Sequence, residues 1–209
     1  MIYVFLGIQG SGKGTQAKLL SNLLDLEHIS LGEKFRKEIG KQTKLGKSVR
    51  EYISKGILVP DDIVLELIKG QFAVRGNGCV FDGFPRTISQ AAFLVEKYEV
   101  DRVLYLDLDD SIARERMRAR RICDKCKRDY NLLFNPPHVT DTCDICNGHI
   151  SPRADDKEEL IQKRLDLFHQ ETKALIDFFI KKNLLSRVNA IGETQLIHKK
   201  ILKEIILNS

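Results

Sequence analysis

Short apolar segments alternate with longer stretches of helical period along this chain of 209 residues. β-branched and aromatic residues are frequent in the first and fourth apolar segments, which favours strands buried on both faces of a sheet. Strands that alternate with helices indicate βαβ units and a mostly parallel sheet. The predicted strands are Ile2–Leu6, His28–Ser30, Gly78–Phe81, Val103–Leu108 and Arg187–Asn189. The predicted helices are Lys13–Leu24, Gly32–Ile39, Lys44–Lys55, Asp61–Phe72, Ser89–Tyr98, Ser111–Arg120, Lys157–Lys181 and Gln195–Leu207.

One segment, from Arg121 to about Arg153, departs from this alternation. It holds four cysteines and three prolines and has no helical period. A stretch of this length without a core of its own must be held by something else or be disordered. We therefore treat it as an insertion in a single domain that spans residues 1–209.

Composition and charge narrow the class of protein only in part. The chain is 43% apolar and 30% charged, as in globular proteins, and has no uninterrupted apolar run long enough for a membrane span. The apolar N-terminus, Met1–Leu6, is too short for a signal peptide, so we expect a cytosolic protein. The net charge of +5 suits nucleic acid, nucleotide phosphates or an anionic membrane surface, and equally a solvated lysine-rich face.

A glycine-rich loop, Gly7–Thr15, lies directly between the first predicted strand and the first predicted helix. Its glycines let consecutive N–H groups form a concave anion site, and the helix directs its positive N-terminus to the same point. Gly14, rather than Ser or Thr, follows Lys13, which weakens the case for a hydroxyl that holds Mg²⁺ beside the lysine. The predicted triphosphate site comprises Gly10, Ser11, Gly12, Lys13, Gly14 and Thr15.

Two motifs together resemble the nucleoside monophosphate kinases. Gly7–Gln16 has their form of the phosphate loop, and Asp82–Thr87 resembles the adenylate kinase signature, with Gln90 at the family's spacing. The resemblance extends from Met1 to about Leu207. It implies an α/β kinase core with a five-stranded parallel sheet, and transfer of a phosphoryl group from ATP to AMP with Mg²⁺ as cofactor. The alternatives are a kinase for UMP, CMP or GMP, and a nucleic-acid-binding ATPase.

Arginines are the side chains best suited to such a reaction, because the guanidinium group stays charged and binds phosphate oxygens in pairs. The resemblance implies that Arg36 and Arg86 bind the AMP phosphate. Arg116 and Arg120 are expected to reach ATP from the helix that enters the insertion, where a solvated basic face is the other interpretation. Arg153 and Arg164 are expected to close over the transferring group. With Lys13, these are the predicted catalytic residues.

The monophosphate side departs from the family at one position. The chain has Ser30-Leu31-Gly32 where relatives usually carry threonine in the middle, so a hydroxyl beside the base is missing. Gln90, the family's reader of the adenine edge, is retained, and AMP stays the favoured acceptor. The resemblance assigns AMP binding to Leu31, Arg36, Ile57, Leu58, Val59, Gly83, Phe84, Pro85, Arg86, Gln90, Arg153 and Arg164. Asp82 and Glu33 are the candidates for holding Mg²⁺ through water.

The cysteines in the insertion form two Cys-x-x-Cys units, Cys123/Cys126 and Cys143/Cys146. This spacing fits a closed four-thiolate zinc site, which supports folding and leaves no open position for catalysis. Disulfides, or a histidine in place of one cysteine, are the alternatives. The resemblance implies the zinc-bearing lid of long adenylate kinases over residues 120–156, a helical AMP-binding insertion over 30–59, Tyr130 beside ATP with Arg120, and a monomer without nucleic-acid or membrane partners.

Overall fold

The computed structural model of the protein describes residues 1–69, 77–153 and 155–207. Strands and helices alternate along most of the chain, as predicted. The strands are β1 (Ile2–Gly7), β2 (Glu27–Ser30), β3 (Cys79–Asp82), β4 (Arg102–Asp107), β5 (Arg120–Cys123), β6 (Asp129–Asn131), β7 (Ile150–Pro152) and β8 (Leu185–Asn189). The helices are α1 (Lys13–Leu24), α2 (Leu31–Gly40), α3 (Lys44–Ser54), α4 (Asp61–Lys69), α5 (Ile88–Lys97), α6 (Asp110–Arg118), α7 (Glu158–Lys181) and α8 (Thr194–Leu207).

A five-stranded parallel sheet forms the centre of the molecule, in the order β2-β3-β1-β4-β8. All six residues of β1 are buried, as expected for the middle strand of a sheet covered by helices on both sides. Successive side chains alternate between the faces, so Val4 packs in one core with Phe81 and Phe179, and Phe5 in the other. The predicted α/β fold class is confirmed.

The boundaries of most predicted elements agree with the structure to within one or two residues. The helix predicted over Asp61–Phe72 begins at Asp61, which is also the first residue of α4. Residues 70–72 lie outside the described part of the chain. The prediction for Ser111–Arg120 is wrong at its C-terminal end. Helix α6 ends at Arg118, and Arg120 and Arg121 belong to β5.

A second, smaller sheet explains that error. Strand β5 pairs antiparallel with β6 on one side and with β7 on the other. The backbone of Arg121 therefore lies opposite Tyr130 and Pro152, residues distant in sequence that no local periodicity reveals. This sheet carries the cysteines and has a small core of its own, formed by Cys123, Tyr130, Cys143 and Ile150.

The carboxyl ends of the parallel strands meet at one edge of the main sheet. Strand β1 leads there into the glycine loop, and β3 leads into Asp82 and the residues after it. Ligands bind at this edge in open α/β sheets. Helices α2 and α3 precede α4 near the same edge, and the small sheet leads back through residues 153–157 into α7. Among the described residues, no helix is long and apolar enough to cross a membrane.

Candidate active site

The glycine loop after β1 has a backbone that only glycine adopts readily. Gly7, Gly10 and Gly12 have φ values of +143°, +88° and +91°. A Cβ atom on Gly10 would lie 2.6 Å from the carbonyl oxygen of Ala113, so the loop also packs closely against α6. Gly12 precedes the first turn of α1 without a capping side chain, and the buried Ser11 hydroxyl has no partner among the described residues. The Ser11 hydroxyl and the uncapped N–H groups at the start of α1 are unsatisfied donors, as an anion site at a helix N-terminus requires.

Lys13 lies within this loop, and its ammonium group folds back on the loop. Its Nζ donates to the carbonyl oxygens of Gly7 at 2.5 Å and Ile8 at 2.8 Å. Burial lowers the pKa of Lys13 to about 7, although the carboxylate of Asp82 opposes the shift. A phosphate that replaced the two carbonyls would provide the negative charge that this buried ammonium lacks.

Asp82, at the end of β3, accepts a hydrogen bond from the Ser30 hydroxyl at 3.1 Å. A Cβ atom on Gly14, the residue after Lys13, would lie 3.1 Å from Asp82 Oδ2, so a larger residue there would require the Asp82 side chain to shift by a few tenths of an ångström. Glu33, the other predicted magnesium residue, is ion-paired with Lys18 at 2.7 Å. A carboxylate at the end of a central strand fits Mg²⁺, which prefers oxygen ligands and retains waters.

Three of the predicted arginines form one ion-pair network with two adjacent carboxylates. Arg120 binds Asp156 through two nitrogens, at 2.7 and 2.5 Å. Arg153 binds Asp155 in the same way, at 3.0 and 2.9 Å, and Arg164 contacts both carboxylates at 3.3 Å. Although burial opposes its ionisation, the neighbouring arginines hold the pKa of Asp155 below its usual range. Three cations face two anions, so the network retains a positive charge that favours phosphate.

An open cavity of about 720 Å³ lies between the core, α2, α3 and α7. Its lining includes most of the residues predicted to bind the monophosphate: Leu31, Arg36, Ile57, Leu58, Val59, Gly83, Arg86, Gln90 and Arg164. Of the others, Phe84 is buried in the core against Phe81, with ring centroids 5.4 Å apart. Arg153 is paired with Asp155, which itself lines the cavity.

A second cavity of about 530 Å³ adjoins the first. It is lined by Lys13, Pro85 and residues of α7, and the two cavities share Gln9, Leu58, Gly83, Arg86 and Leu167. Arg86 donates through Nε to the carbonyl oxygen of Gly83 at 3.0 Å, which directs its guanidinium group along the boundary. Burial lowers the pKa of Arg86, so an anion at this boundary would stabilise its charge.

Arg116 lies apart from the other predicted arginines. Only 9% of its surface is exposed, its Nε atom has no partner among the described residues, and its guanidinium carbon lies 4.9 Å from the centre of the Phe134 ring. The neighbouring arginines of α6, Arg114 and Arg118, instead bind Glu158 at 2.8 Å, which joins α6 to the start of α7. These two arginines therefore join two helices of the fold.

The four cysteines of the insertion lie close together, with all sulfur atoms within 4.8 Å of one another. Cys123 and Cys146, and likewise Cys126 and Cys143, have sulfurs 3.5 Å apart. Four sulfurs bonded to one zinc ion at about 2.3 Å are about 3.8 Å apart, whereas a disulfide needs about 2.05 Å. The donor set fits a tetrahedral metal ion, and all five cysteines are free thiols.

Tyr130, predicted to lie beside ATP, is part of this cysteine cluster. It is 3% exposed, its hydroxyl lies 3.3 Å from Cys143 Sγ, and the same hydroxyl accepts from the Asp144 N–H at 2.9 Å. The hydrogen bond from Tyr130 lowers the pKa of Cys143 to about 6. The hydroxyl therefore supports the thiolates, and contact between Tyr130 and a nucleotide stays a prediction.

Comparison with known proteins decides the family. A family model described as adenylate kinase matches residues 5–184. The chain belongs to the adenylate kinase family. It is 41% identical to an adenylate kinase of Caldicellulosiruptor bescii over 98% of this chain and 99% of that protein. Adenylate kinases of Methanothrix thermoacetophila and Thermosipho africanus are 42% and 39% identical, over 97% and 98% of this chain and 97% and 99% of their own lengths.

Family membership identifies the chain as an ATP:AMP phosphotransferase of the nucleoside monophosphate kinase class, and nothing in the comparisons favours the alternatives. Sequence motifs found the phosphate loop, the arginines and the cysteines. They missed Gln9, Phe35, Ile53 and Val64, which also line the cavities. The apolar members of this set follow the helical period of α2 to α4, but that period alone does not distinguish a core position from a cavity wall.

Proposed function

We propose that the two adjoining cavities and the glycine loop divide the substrates between them. ATP phosphates would occupy the loop formed by Gly10–Thr15 beside Lys13, and AMP would occupy the cavity lined by Arg36 and Gln90. The observation that carries this proposal is that Arg86 lines both cavities. A phosphoryl group that passes from one substrate to the other has to cross that boundary.

Charge neutralisation and positioning would supply most of the catalysis. Phosphoryl transfer brings two polyanions together, and positively charged side chains stabilise the charge that spreads over the transferring group. Lys13, Arg86, Arg120, Arg153 and Arg164 are the groups proposed for this role, with Arg116 on the ATP side. No side chain has to remove a proton, because the attacking phosphate oxygen of AMP is already ionised.

Two insertions are proposed to close over the substrates. Residues 30–59 contribute Leu31, Arg36 and Val59 to the AMP cavity, and residues 120–156 contribute Asp155. Closure would exclude water, so that AMP rather than water receives the phosphoryl group. In the absence of nucleotide, Asp155 and Asp156 hold the arginines in place. The phosphates would then compete with these carboxylates for the guanidinium groups.

The metals are proposed as Mg²⁺ with ATP and zinc in the insertion. Asp82, with Glu33 as a second candidate, would orient water molecules around the Mg²⁺ that accompanies the ATP phosphates. Cys123, Cys126, Cys143 and Cys146 would hold zinc, which supplies folding energy to a segment that has only a small core. A cytoplasmic location, a monomeric state and the absence of nucleic-acid or membrane partners stay predictions.

A coupled phosphotransfer assay tests the assignment of substrates. Purified protein of known zinc content is given ATP, Mg²⁺ and AMP, GMP, CMP or UMP in turn, and we expect AMP to be strongly preferred. Preference for another monophosphate would keep the mechanism and reject AMP as the acceptor.

Two variants test the assignment of residues. Arg86→Ala and Lys13→Ala are each expected to lower kcat at least about 100-fold, as for the loss of one transition-state donor, with little change in the circular dichroism spectrum. Arg118→Ala removes an arginine whose side chain, among the residues described, pairs with Glu158; it serves as the matched control, with nearly normal kcat expected. Normal turnover in Arg86→Ala would refute the proposed site.

A further inference from the structure

The side-chain amide of Gln90 is held at both of its ends. Gln90 is 2% exposed, and its Oε1 accepts from the backbone N–H of Arg86 at 2.8 Å. Its Nε2 donates to Asp61 Oδ1 at 2.7 Å. The other oxygen of Asp61 accepts from the Thr87 hydroxyl at 2.8 Å. Asp61, the first residue of α4, thus binds the side-chain amide of Gln90 in the first turn of α5.

These two partners permit only one orientation of the amide. A backbone N–H can only donate a hydrogen bond, and an ionised carboxylate can only accept one. Rotation of the Gln90 amide by 180° would place its NH₂ group against the Arg86 N–H and its oxygen against the Asp61 carboxylate. Both contacts would then be repulsive and both hydrogen bonds lost, so the positions of Oε1 and Nε2 follow from the network.

The held amide retains unused hydrogen-bonding capacity. An amide offers two N–H donors and two lone pairs, and the structure uses one of each. Gln90 lines the monophosphate cavity, where Leu31, Phe35 and Val59 are among the apolar lining residues. One donor and one acceptor in a fixed order are therefore available to the edge of a base in this cavity.

The fixed order matches one class of purine. Adenine presents a ring nitrogen that accepts and a 6-amino group that donates, whereas hypoxanthine and guanine present a ring N–H that donates and a 6-oxo group that accepts. We propose that Asp61 is a specificity-determining positioning residue, which fixes the Gln90 amide in the orientation complementary to a 6-amino purine and mismatched to a 6-oxo purine. The inference rests on the proposed function, because it requires the monophosphate base to lie in this cavity.

Without Asp61, only the Arg86 N–H still opposes rotation of the amide. A rotated amide then loses one hydrogen bond rather than two, so the orientation that serves a 6-oxo base becomes more accessible. Since Leu31 has no hydrogen-bonding group, polar discrimination near it depends on Gln90. A site built to hydrogen-bond one pattern rejects the opposite pattern strongly only if its own groups cannot rearrange.

The test compares AMP with IMP, which differ in this edge and in little else. In Asp61→Asn the side chain keeps its size but can donate or accept, so only the Arg86 N–H still favours one orientation of the Gln90 amide. We expect the ratio of kcat/KM for AMP to kcat/KM for IMP to fall at least about tenfold, through loss for AMP and gain for IMP. Asp62→Asn removes the same charge from the same helical turn, is not bonded to Gln90 in the structure, and is expected to keep the wild-type ratio.

Two further variants keep the inference falsifiable. Asp61→Ala removes the acceptor without adding a donor, and it is also expected to lower the ratio. It serves as the test if Asp61→Asn folds poorly. In a Gln90→Ala background, Asp61→Asn is expected to leave the ratio unchanged, because there is no amide to orient. An unchanged ratio in well-folded Asp61→Asn or Asp61→Ala, or an equal loss for both nucleotides, would overturn the inference. Failure of the wild type to phosphorylate AMP would instead reject the proposed function.

Discussion

Lys13 is the charged side chain of the phosphate loop, and its surroundings determine its charge. Its ammonium group is buried, and within the described part of the chain its hydrogen bonds go to two neutral carbonyl oxygens of its own loop. Burial and the charges of Arg86, Arg164 and Arg120 all lower its pKa, against the carboxylate of Asp82, and the result is about 7. The loop without nucleotide therefore holds a lysine that is partly neutral at physiological pH.

ATP binding is expected to return a proton to Lys13. The phosphates raise its pKa toward the ordinary value of about 10.5, so at pH 8 binding should take up about 0.9 of a proton, and affinity should fall as pH rises above 7. Titration calorimetry in two buffers of different ionisation enthalpy measures the uptake. Lys13→Met, which keeps the length of the side chain, is the control, and equal uptake by both proteins would contradict the prediction.

The small sheet, β5 to β7, is the element with the least core of its own. Cys123, Tyr130, Cys143 and Ile150 are its buried residues. A cluster of this size buries too little apolar surface to order a segment of over thirty residues, so a metal ion held by the four cysteines would contribute folding energy. The hydroxyl of Tyr130 adds a hydrogen bond to one of the thiolates.

Loss of the metal is expected to unfold this sheet and spare the parallel core. Cys123→Ala should lose the bound metal and lower the melting temperature by about 5–10 °C, with activity retained at low temperature. Elemental analysis and thermal melts followed by circular dichroism measure the two effects. Cys79→Ala is the matched control, because Cys79 lies in the main sheet, and it should retain one metal ion per chain. Stoichiometric metal in Cys123→Ala would contradict the prediction.

On the scale of the whole molecule, one ion-pair network joins the insertion to the core. Arg120 comes from β5, Arg164 from α7, and both bind Asp156, whose side chain is 3% exposed. Glu158 instead joins the two helices that flank the insertion, because it binds two arginines of α6. In the structure the carboxylates hold Arg120, Arg153 and Arg164 together, and under the proposed function the phosphates would compete with them for the guanidinium groups.

Removal of the Asp156 charge is expected to destabilise the free protein more than the substrate complex. Asp156→Asn leaves Arg120 and Arg164 short of negative charge, which should cost about 1–3 kcal/mol of unfolding free energy, reduced because both arginines are partly exposed. Mg²⁺ and ADP should restore part of the lost unfolding free energy. The rise in melting temperature on ligand binding should therefore be larger in Asp156→Asn than in the wild type. Asp166→Asn, on the exposed face of α7, is the control, and identical melting of the two variants would refute the argument.

Local sequence determined the parts of the molecule that depend on neighbouring residues. Apolar runs located the strands of the main sheet, most plainly β1, which is buried on both faces, and glycine spacing located the phosphate loop, because its backbone needs positive φ angles. The spacing of Cys123, Cys126, Cys143 and Cys146 indicated one cluster, and their sulfurs do lie together.

Tertiary structure decided what depends on residues far apart in the chain. Arg120 continues a helical pattern in sequence, yet it lies on a strand, because β5 pairs with β6 and β7 and Arg120 itself lies opposite Asn131 of β6. Gly14, where the general loop motif has Ser or Thr, lies close to the Asp82 side chain. Gln90 is recognisable from its motif, but the orientation of its amide is set by Asp61, 29 residues earlier. Periodicity reports only which face of an element is buried, whereas hydrogen bonds across the fold decide which donor or acceptor a substrate meets.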